Sequence, residues 1–220
     1  MTKPTDPAKS SKRGIIAAGL AGAVAAVAAL YVIAGPNGNI ASSESCSAAL
    51  ASAQSAAPHA KGDVAAFLPA SQPLSLKNLM FNGPDDQPMT MADFEGRTVL
   101  LNLWATWCAP CRKEMPALDE LQADLGDETF EVVAVSLDRG GPDKPKDFLN
   151  EIGVSDLTFY QDSSNGLLKD LRKVARATGL PTTILISPDG CEVGTMYGPA
   201  EWASGEAKAL IRAAMGKPEA

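Results

Sequence analysis

The sequence has few of the residues that bind metals or cross-link small folds: it contains four cysteines and one histidine in 220 residues. Four cysteines are too few for a disulfide-stabilised miniprotein, and they allow three pairings among which the sequence does not choose. A zinc centre would lack ligands, because the sequence offers only one histidine, His59, and a single CxxC pair. We therefore expect no metal and no cofactor. A net charge of −7 argues against nucleic acid as a partner.

One long apolar segment stands out: residues 15–34 carry no charge, and they follow a mainly basic stretch at 1–14. About twenty apolar residues in a helix cross the hydrocarbon core of a bilayer. Because basic flanks stay in the cytoplasm, 1–14 is predicted to be cytoplasmic and 15–34 to be a single transmembrane anchor. A cleaved signal peptide is the alternative, although its apolar region is shorter, roughly 7–15 residues. Both interpretations place the following domain outside the cytoplasm.

The segment 35–64 is rich in Ala, Ser, Gly and Pro, a composition typical of a tether. Residues 43–57 within it can form a short helix that carries Cys46. From 65 to 217 the hydrophobic pattern becomes that of a globular domain. The chain is thus predicted to have an anchor, a tether and one domain.

Strand and helix patterns alternate within the predicted domain. Continuous apolar runs predict buried strands, and apolar residues at helical spacing predict amphipathic helices. The predicted strands are 98–105, 130–137, 157–161, 182–187 and 191–196; the predicted helices are 108–125 with a kink at Pro116, 146–152, 167–178 ending at Gly179, and a last helix opening at Pro199. This order predicts an α/β fold in which a mixed sheet has helices on both faces.

The motif that carries chemistry is Trp107-Cys108-Ala109-Pro110-Cys111, where a strand runs into a helix. The free N–H groups and the positive dipole end of a helix N-terminus stabilise a thiolate, which lowers the pKa of the first cysteine. Cys111 lies one turn further on, so it can reach the first sulfur and resolve a mixed disulfide. Cys108 is therefore the predicted attacking sulfur, and Cys111 is the predicted resolving one.

A permanent disulfide and half of a zinc site are the alternatives for this cysteine pair. A two-residue loop at a helix start removes little entropy from the unfolded chain, so a permanent disulfide there would stabilise the fold weakly. A zinc site needs further ligands that the sequence does not supply. The redox interpretation is therefore favoured over both.

The motif and a later segment resemble a known family. VLLNLWATWCAPCRKEMPAL at 99–118 and GLPTTILISPDG at 179–190 are similar to the thioredoxin-like TlpA/ResA family of thiol:disulfide interchange proteins. The resemblance covers about 65–217. It implies a thioredoxin fold, with a central mixed β-sheet flanked by helices, and an enzyme that exchanges thiols and disulfides.

The resemblance also implies roles for residues around the two cysteines. Pro181 would be a cis-proline beside them, and Leu180 would offer main-chain pairing to an extended substrate. The alternative, which fits the local sequence, is a trans proline that ends a helix after Gly179. Trp107 and Pro110 would support the site. Glu114 matches an acidic residue near the active site of ResA-like proteins and would accept or relay a proton for Cys111. An acid early in a helix also compensates the helix dipole, which is the alternative.

Two further cysteines and one departure from thioredoxin complete the comparison. Cys46 and Cys191 would form a structural disulfide in this family; free thiols or intermolecular pairing are the alternatives. Thioredoxin has a buried Asp six residues before its first cysteine, whereas this chain has Asn102. Because Asn takes no proton at neutral pH, deprotonation of Cys111 would fall to Glu114 or to water.

The resemblance implies a reductase of partner-protein disulfides, anchored in a bacterial inner membrane with its domain in the periplasm. Its partners would be apocytochrome c or the copper-assembly proteins of cytochrome oxidase, and a membrane thiol reductase would resupply its electrons. One alternative is a Cu(I)-binding assembly chaperone, although such proteins generally have wider cysteine spacing and a distant His. Another is a thiol peroxidase, whose Pro/Thr arrangement before the reactive cysteine is absent from this sequence.

Overall fold

The computed structural model describes residues 46–217. The predicted cytoplasmic stretch 1–14, the predicted anchor 15–34 and the first part of the predicted tether lie outside the described residues. Within 46–217, none of the helices combines the length and the apolar character that a membrane span requires. The predicted domain is described in full, together with the segment that begins at Cys46.

An eight-stranded mixed sheet forms the centre of the described residues. Its strands in chain order are β1 (Leu68–Pro69), β2 (Met80–Asn82), β3 (Pro88–Thr90), β4 (Thr98–Trp104), β5 (Phe130–Ser136), β6 (Tyr160–Gln161), β7 (Thr182–Ile186) and β8 (Glu192–Tyr197). Across the sheet their order is β1-β8-β7-β4-β5-β6-β2-β3. β4, β5 and β6 run parallel, whereas β7 is antiparallel to both β4 and β8. The strands predicted at 98–105, 130–137, 182–187 and 191–196 are confirmed as β4, β5, β7 and β8.

Helices pack on the two faces of this sheet. They are α1 (Ser47–Ala56), α2 (Ala109–Leu125), α3 (Asp143–Glu151), α4 (Gly166–Lys173) and α5 (Gly205–Ala214). Because side chains alternate along a strand, Leu100 and Trp104 of β4 pack with residues of α1, α2 and α5, while Leu101 and Leu103 pack with residues of α4. The predicted mixed sheet with helices on both faces is confirmed.

The predicted helix 167–178 is too long, and Gly179 does not end it. The observed helix α4 stops earlier, because Ala175 adopts a left-handed φ of 56°. The N–H of Arg176 then bonds the carbonyl of Leu171, which is the hydrogen bond of a Schellman ending. The boundary was predicted wrongly because glycine is the residue typical of this ending, whereas here an alanine adopts it.

Two other boundaries also differ from the prediction. The strand predicted at 157–161 is reduced to β6. Its predicted first residue, Leu157, instead donates its N–H to the carboxylate of Asp119, which also accepts the N–H groups of 155 and 156 and holds them against α2. The helix predicted at 146–152 begins earlier, as α3. Pro145 fits in its first turn, where an N–H would have no partner within the helix.

Two predictions about helices depended on prolines. Pro116 lies inside α2, and the helix continues through it. Pro199 does not open the last helix, so that prediction was wrong. α5 begins after Ser204, whose hydroxyl accepts the N–H of Ala207 over 3.2 Å and caps the first turn.

The second part of the predicted tether is folded onto the domain. Cys46 directly precedes α1, and Ala49, Ala53 and Ala56 of that helix are buried. These residues belong to the same apolar cluster as Trp104 of β4. The segment that begins at Cys46 therefore packs against the domain and contributes to its core.

Candidate active site

Cys108 lies where β4 ends and α2 begins, at the N-cap of α2. Its N–H bonds the carbonyl of Ala105 over 3.0 Å, which closes a tight turn after the strand. The N–H of Cys111 in turn donates to Cys108 Sγ over 3.3 Å. The sulfur therefore takes the place of the side-chain oxygen that caps many helices, where the first N–H groups of the helix stabilise negative charge.

The two predicted redox cysteines form a disulfide in this structure. They differ in their access to solvent: Cys108 keeps 6% exposure, and Cys111 keeps none. The neighbouring Trp107 is 65% exposed, although large apolar side chains are usually mostly buried. An incoming chain can therefore reach Cys108 but not Cys111, and Trp107 offers it an apolar contact.

The predicted supporting residues lie at the same end of the sheet. The peptide bond between Leu180 and Pro181 is cis. Pro181 directly precedes β7, whose first residue, Thr182, pairs with Leu103 near the end of β4. The structure thus brings the cis-proline to the end of β4 that leads to Cys108. The fourth supporting residue, Pro110, is in the first turn of α2, where its missing N–H costs nothing.

Glu114 is almost completely buried, with 3% exposure. Its Oε1 accepts a hydrogen bond from Asn102 Nδ2 at 2.9 Å, and its Oε2 accepts one from the N–H of Ala200 at 3.2 Å. Burial raises the pKa of Glu114 to about 7; these two bonds and the Trp202 indole lower it only in part. The Trp202 N–H makes no well-formed hydrogen bond within the described residues. The carboxyl can therefore gain or lose a proton near neutral pH.

Asn102 occupies the strand position at which thioredoxin has its buried acid. It is completely buried, and its Nδ2 donates to Thr183 Oγ1 as well as to Glu114 Oε1, each at 2.9 Å. The carboxyl group that pairs with Asn102 therefore belongs to helix α2, and strand β4 supplies the amide that donates to it.

A cleft of about 300 Å³ opens beside Glu114, with Asp63, Lys113 and Glu201 in its wall. Because Glu114 lines this cleft, water in it can exchange protons with the carboxyl group. Cys111 precedes Glu114 by three residues on α2, a spacing that places two side chains on the same side of a helix. Glu114 thus lies between a buried cysteine and a cleft that is open to solvent.

Asp138, which is not among the predicted site residues, is buried next to the motif with 3% exposure. Its carboxylate accepts the N–H of Thr106 at 2.7 Å and the hydroxyl of Thr106 at 2.5 Å. Asp138 follows β5, the parallel neighbour of β4. Because the carboxyl ends of parallel strands meet at one edge, an acid directly after the strand next to the motif is the signal that identifies it.

Cys46 and Cys191 form the second disulfide of the structure, which is the predicted pairing. Both residues are completely buried. Cys46 directly precedes α1, and Cys191 directly precedes β8, so the bond joins the first described helix to the sheet. This disulfide is therefore shielded from the reagents that reach Cys108.

The mixed sheet, the cysteine pair at a helix N-terminus and the cis-proline at the same edge define a protein of the thioredoxin fold. The chain belongs to the AhpC/TSA family, whose model matches residues 74–191.

Known relatives and solved structures agree with this class. The chain is 43% identical over 108 residues to the thiol-disulfide oxidoreductase ResA of Oceanobacillus iheyensis, covering 48% of this chain and 52% of that protein. It is 36% identical over 112 residues to the thioredoxin-like protein YneN of Bacillus subtilis, covering 49% of this chain and 62% of that protein. The chain thus spans between half and two thirds of the length of these relatives.

Among solved structures, the chain is similar to the thiol:disulfide interchange protein DsbE of Chlorobium tepidum. The TM-score is 0.53 and the sequence identity is 26%, and the match covers 64% of this chain and 95% of the other. The similarity therefore extends over nearly the whole of that structure.

Proposed function

We propose that this protein is a thiol:disulfide oxidoreductase that reduces disulfides in partner proteins through Cys108 and Cys111. The observation that carries the proposal is the position of Cys108 Sγ. This sulfur caps α2 and lies 3.3 Å from the backbone nitrogen of Cys111. Of the two cysteines, only Cys108 has any solvent exposure. Relatives named thiol-disulfide oxidoreductases support the same activity.

The order of the reaction follows from the positions of Cys108 and Cys111. In the reduced protein, the Cys108 thiolate attacks one sulfur of a substrate disulfide, and the other substrate sulfur leaves as a thiolate. The resulting mixed disulfide is attacked at the Cys108 sulfur by Cys111, which releases the second substrate sulfur. Two electrons pass to the substrate, and the protein ends with the Cys108–Cys111 disulfide that the structure contains.

Glu114 supports the second step of this scheme. Cys111 must lose its proton before it can attack, and it is buried away from bulk water. Glu114 is its neighbour on α2, and a pKa of about 7 allows the carboxylate to take that proton. The cleft beside Glu114 then gives the proton a route to solvent.

The direction of electron flow is a separate part of the proposal. A reductase needs a low reduction potential, so we expect a value nearer to about −270 mV, as in thioredoxin, than to about −120 mV, as in DsbA. Equilibration of the CxxC pair with glutathione buffers measures it. A value close to that of DsbA would make the protein an oxidant of its partners and would overturn the reductase role.

The proposed setting is outside the cytoplasm, with the chain anchored by 15–34 in a bacterial inner membrane and the domain in the periplasm. The uncharged segment 15–34 supports the anchor, and the Cys46–Cys191 disulfide is of the kind that persists in oxidising compartments. An anchor raises the effective concentration at which a membrane-bound electron donor and the partner meet the domain. We place apocytochrome c and the copper-assembly proteins of cytochrome oxidase first among the partners, and a membrane thiol reductase as the donor.

Trapping of mixed disulfides tests the assignment of the two sulfurs. With Cys111→Ser, the mixed disulfide on Cys108 cannot be resolved, so partner proteins should remain attached and be identifiable by mass spectrometry. Cys108→Ser is the matched control and should trap nothing. Equal trapping by both variants, or none by Cys111→Ser while the wild type reduces protein disulfides, would contradict the proposed roles.

A further inference from the structure

We propose that Asp138 is a positioning residue for Cys108 and acts through Thr106. The inference rests on the proposed function only in taking Cys108 as the attacking sulfur. Among the described residues, no hydrogen bond joins Asp138 to Cys108 or Cys111. Asp138 instead fixes the turn Ala105–Trp107, which connects β4 to the N-cap of α2.

The contacts of the Asp138 carboxylate are concentrated on this turn. Oδ2 accepts the N–H of Thr106 at 2.7 Å, and Oδ1 accepts its hydroxyl at 2.5 Å. Ser136 Oγ donates to Oδ2 at 3.2 Å. Lys144 Nζ is 3.7 Å from Oδ1, but its side chain is 71% exposed, so it adds little. Two of the three buried donors to the carboxylate therefore come from Thr106.

The N–H of Thr106 explains why an acceptor is needed here. β4 ends at Trp104, and the ladder that would take the next N–H groups ends with it. A buried N–H without a partner is costly, and Thr106 is only 8% exposed. The carboxylate supplies the missing acceptor, and the additional bond to the Thr106 hydroxyl fixes the orientation of the residue.

The carboxylate is itself attached to the sheet. The N–H of Leu137 bonds the carbonyl of Trp104 at 2.8 Å, which keeps β5 and β4 in register up to this edge. Gln161 Nε2 donates to the Asp138 carbonyl at 3.1 Å. Asp138 thus fixes Thr106 relative to the sheet. The 3.0 Å bond from the N–H of Cys108 to the carbonyl of Ala105 in turn fixes Cys108 relative to this turn, and with it the position of the sulfur.

Three substitutions separate this role from a general effect on folding. Asp138→Ala removes both bonds to Thr106. Asp138→Asn can keep both, since the amide oxygen accepts the N–H and the amide NH₂ donates to the hydroxyl, so only the charge is lost. Thr106→Val removes the hydroxyl bond and leaves the N–H bond. Asp119→Ala is a matched control, because that carboxylate also accepts several backbone N–H groups, those of 155–157.

The test measures how fast Cys108 reacts with iodoacetamide as a function of pH, in a Cys111→Ser background. With Cys46 and Cys191 joined, Cys108 is then the one thiol of the chain. Asp138→Ala should slow alkylation at pH 7 by about tenfold and raise the midpoint of the pH profile, because a displaced sulfur loses the helix N–H groups. Asp138→Asn should stay close to the parent, and Asp119→Ala should leave the midpoint unchanged.

Thr106→Val should shift the profile in the same direction as Asp138→Ala but less. Combined with Asp138→Ala it should add nothing, because both changes act on one contact. The inference is overturned if folded Asp138→Ala keeps the parent profile, or if Asp138→Asn is as slow as the alanine variant. If Asp138→Ala does not fold, an unshifted Thr106→Val profile overturns it. Alkylation needs no partner protein, so these results are independent of whether the wild type reduces protein disulfides.

Discussion

The side chain of Asn102 donates a hydrogen bond to the carboxylate of Glu114 over 2.9 Å, between the central strand β4 and helix α2. Both residues are buried, with 0% and 3% exposure. The Asn102 oxygen has no hydrogen-bond partner within residues 46–217. The neutral amide of Asn102 therefore positions the carboxyl group but supplies no opposite charge. Burial has the larger effect on the pKa of Glu114 and raises it.

This relationship predicts that the stability of the fold depends on pH through Glu114. The pKa of Glu114 is about 7 in the folded protein, above the value of 4.5 for the solvated group. The folded state therefore keeps a proton that the unfolded chain releases, and the stability due to this group is lost as pH rises from 4.5 to about 7. That difference in pKa corresponds to roughly 3 kcal/mol.

Glu114→Gln provides the comparison, because glutamine keeps the shape of the side chain and does not titrate. The free energy of unfolding of the wild type, relative to this variant, should fall by roughly 3 kcal/mol between pH 4 and pH 8. Urea unfolding of the oxidised proteins at a series of pH values measures it. A difference between the two proteins that stays constant over this range would show that Glu114 does not retain its proton on folding.

A second prediction concerns the two disulfides. Cys108 has 6% exposure, whereas Cys46 and Cys191 have none. Because thiol–disulfide exchange requires access to a sulfur, dithiothreitol at low concentration should open Cys108–Cys111 in the native protein and leave Cys46–Cys191 intact. Differential alkylation before and after denaturation, read by mass spectrometry, distinguishes the pairs. Loss of both disulfides at the same rate would contradict the shielding of the second pair.

The features of the site that depend on local sequence were predictable. Cys108, Cys111 and the strand–helix junction follow from a buried apolar run, the CxxC spacing and helix-terminus chemistry. The cis form of Pro181 and the Cys46–Cys191 pairing came only from the resemblance, because neither is specified by the residues next to them in the chain.

Other features were not predicted because they depend on contacts between segments distant in sequence, and of these only Asp138 has a local signal, its place just after β5. Asp138 binds Thr106 across 32 positions. Asp119 binds the loop near Ser155, 36 positions away, and takes up the first residue of the strand expected at 157–161. The early end of α4 has a different cause, since Ala175 adopts a backbone conformation that is unfavourable for most residues other than glycine. Hydrophobic periodicity carries no information on side-chain contacts between distant segments or on the backbone conformation of a single residue.

A third prediction concerns the ion pair between Arg176 and Glu192. Arg176 Nε lies 2.6 Å from Glu192 Oε1, and the glutamate side chain is only 2% exposed. Thr195 Oγ1 donates to the same oxygen at 2.7 Å, while Oε2 has no hydrogen-bond partner within the described residues. Arg176→Met leaves this carboxylate buried with one remaining donor, so the free energy of unfolding should fall by about 3 kcal/mol at neutral pH.

The double variant Arg176→Met with Glu192→Gln supplies the control for this prediction. It removes the buried charge together with its partner, so it should be more stable than Arg176→Met alone. Denaturant unfolding at pH 7 measures both. The ion pair would be unimportant for stability if Arg176→Met unfolded within about 0.5 kcal/mol of the wild type.

The most direct test of the central claim is the order in which the two sulfurs of the reduced CxxC pair react. Reduced protein is treated briefly with iodoacetamide at pH 7, and the modified cysteine is located by mass spectrometry. The structure places Cys108 at the N-cap of α2 with 6% exposure and leaves Cys111 with none, so Cys108 should be modified first, and Cys111 only after denaturation. Modification of Cys111 first, or of both at equal rates, would contradict the assignment of Cys108 as the attacking sulfur.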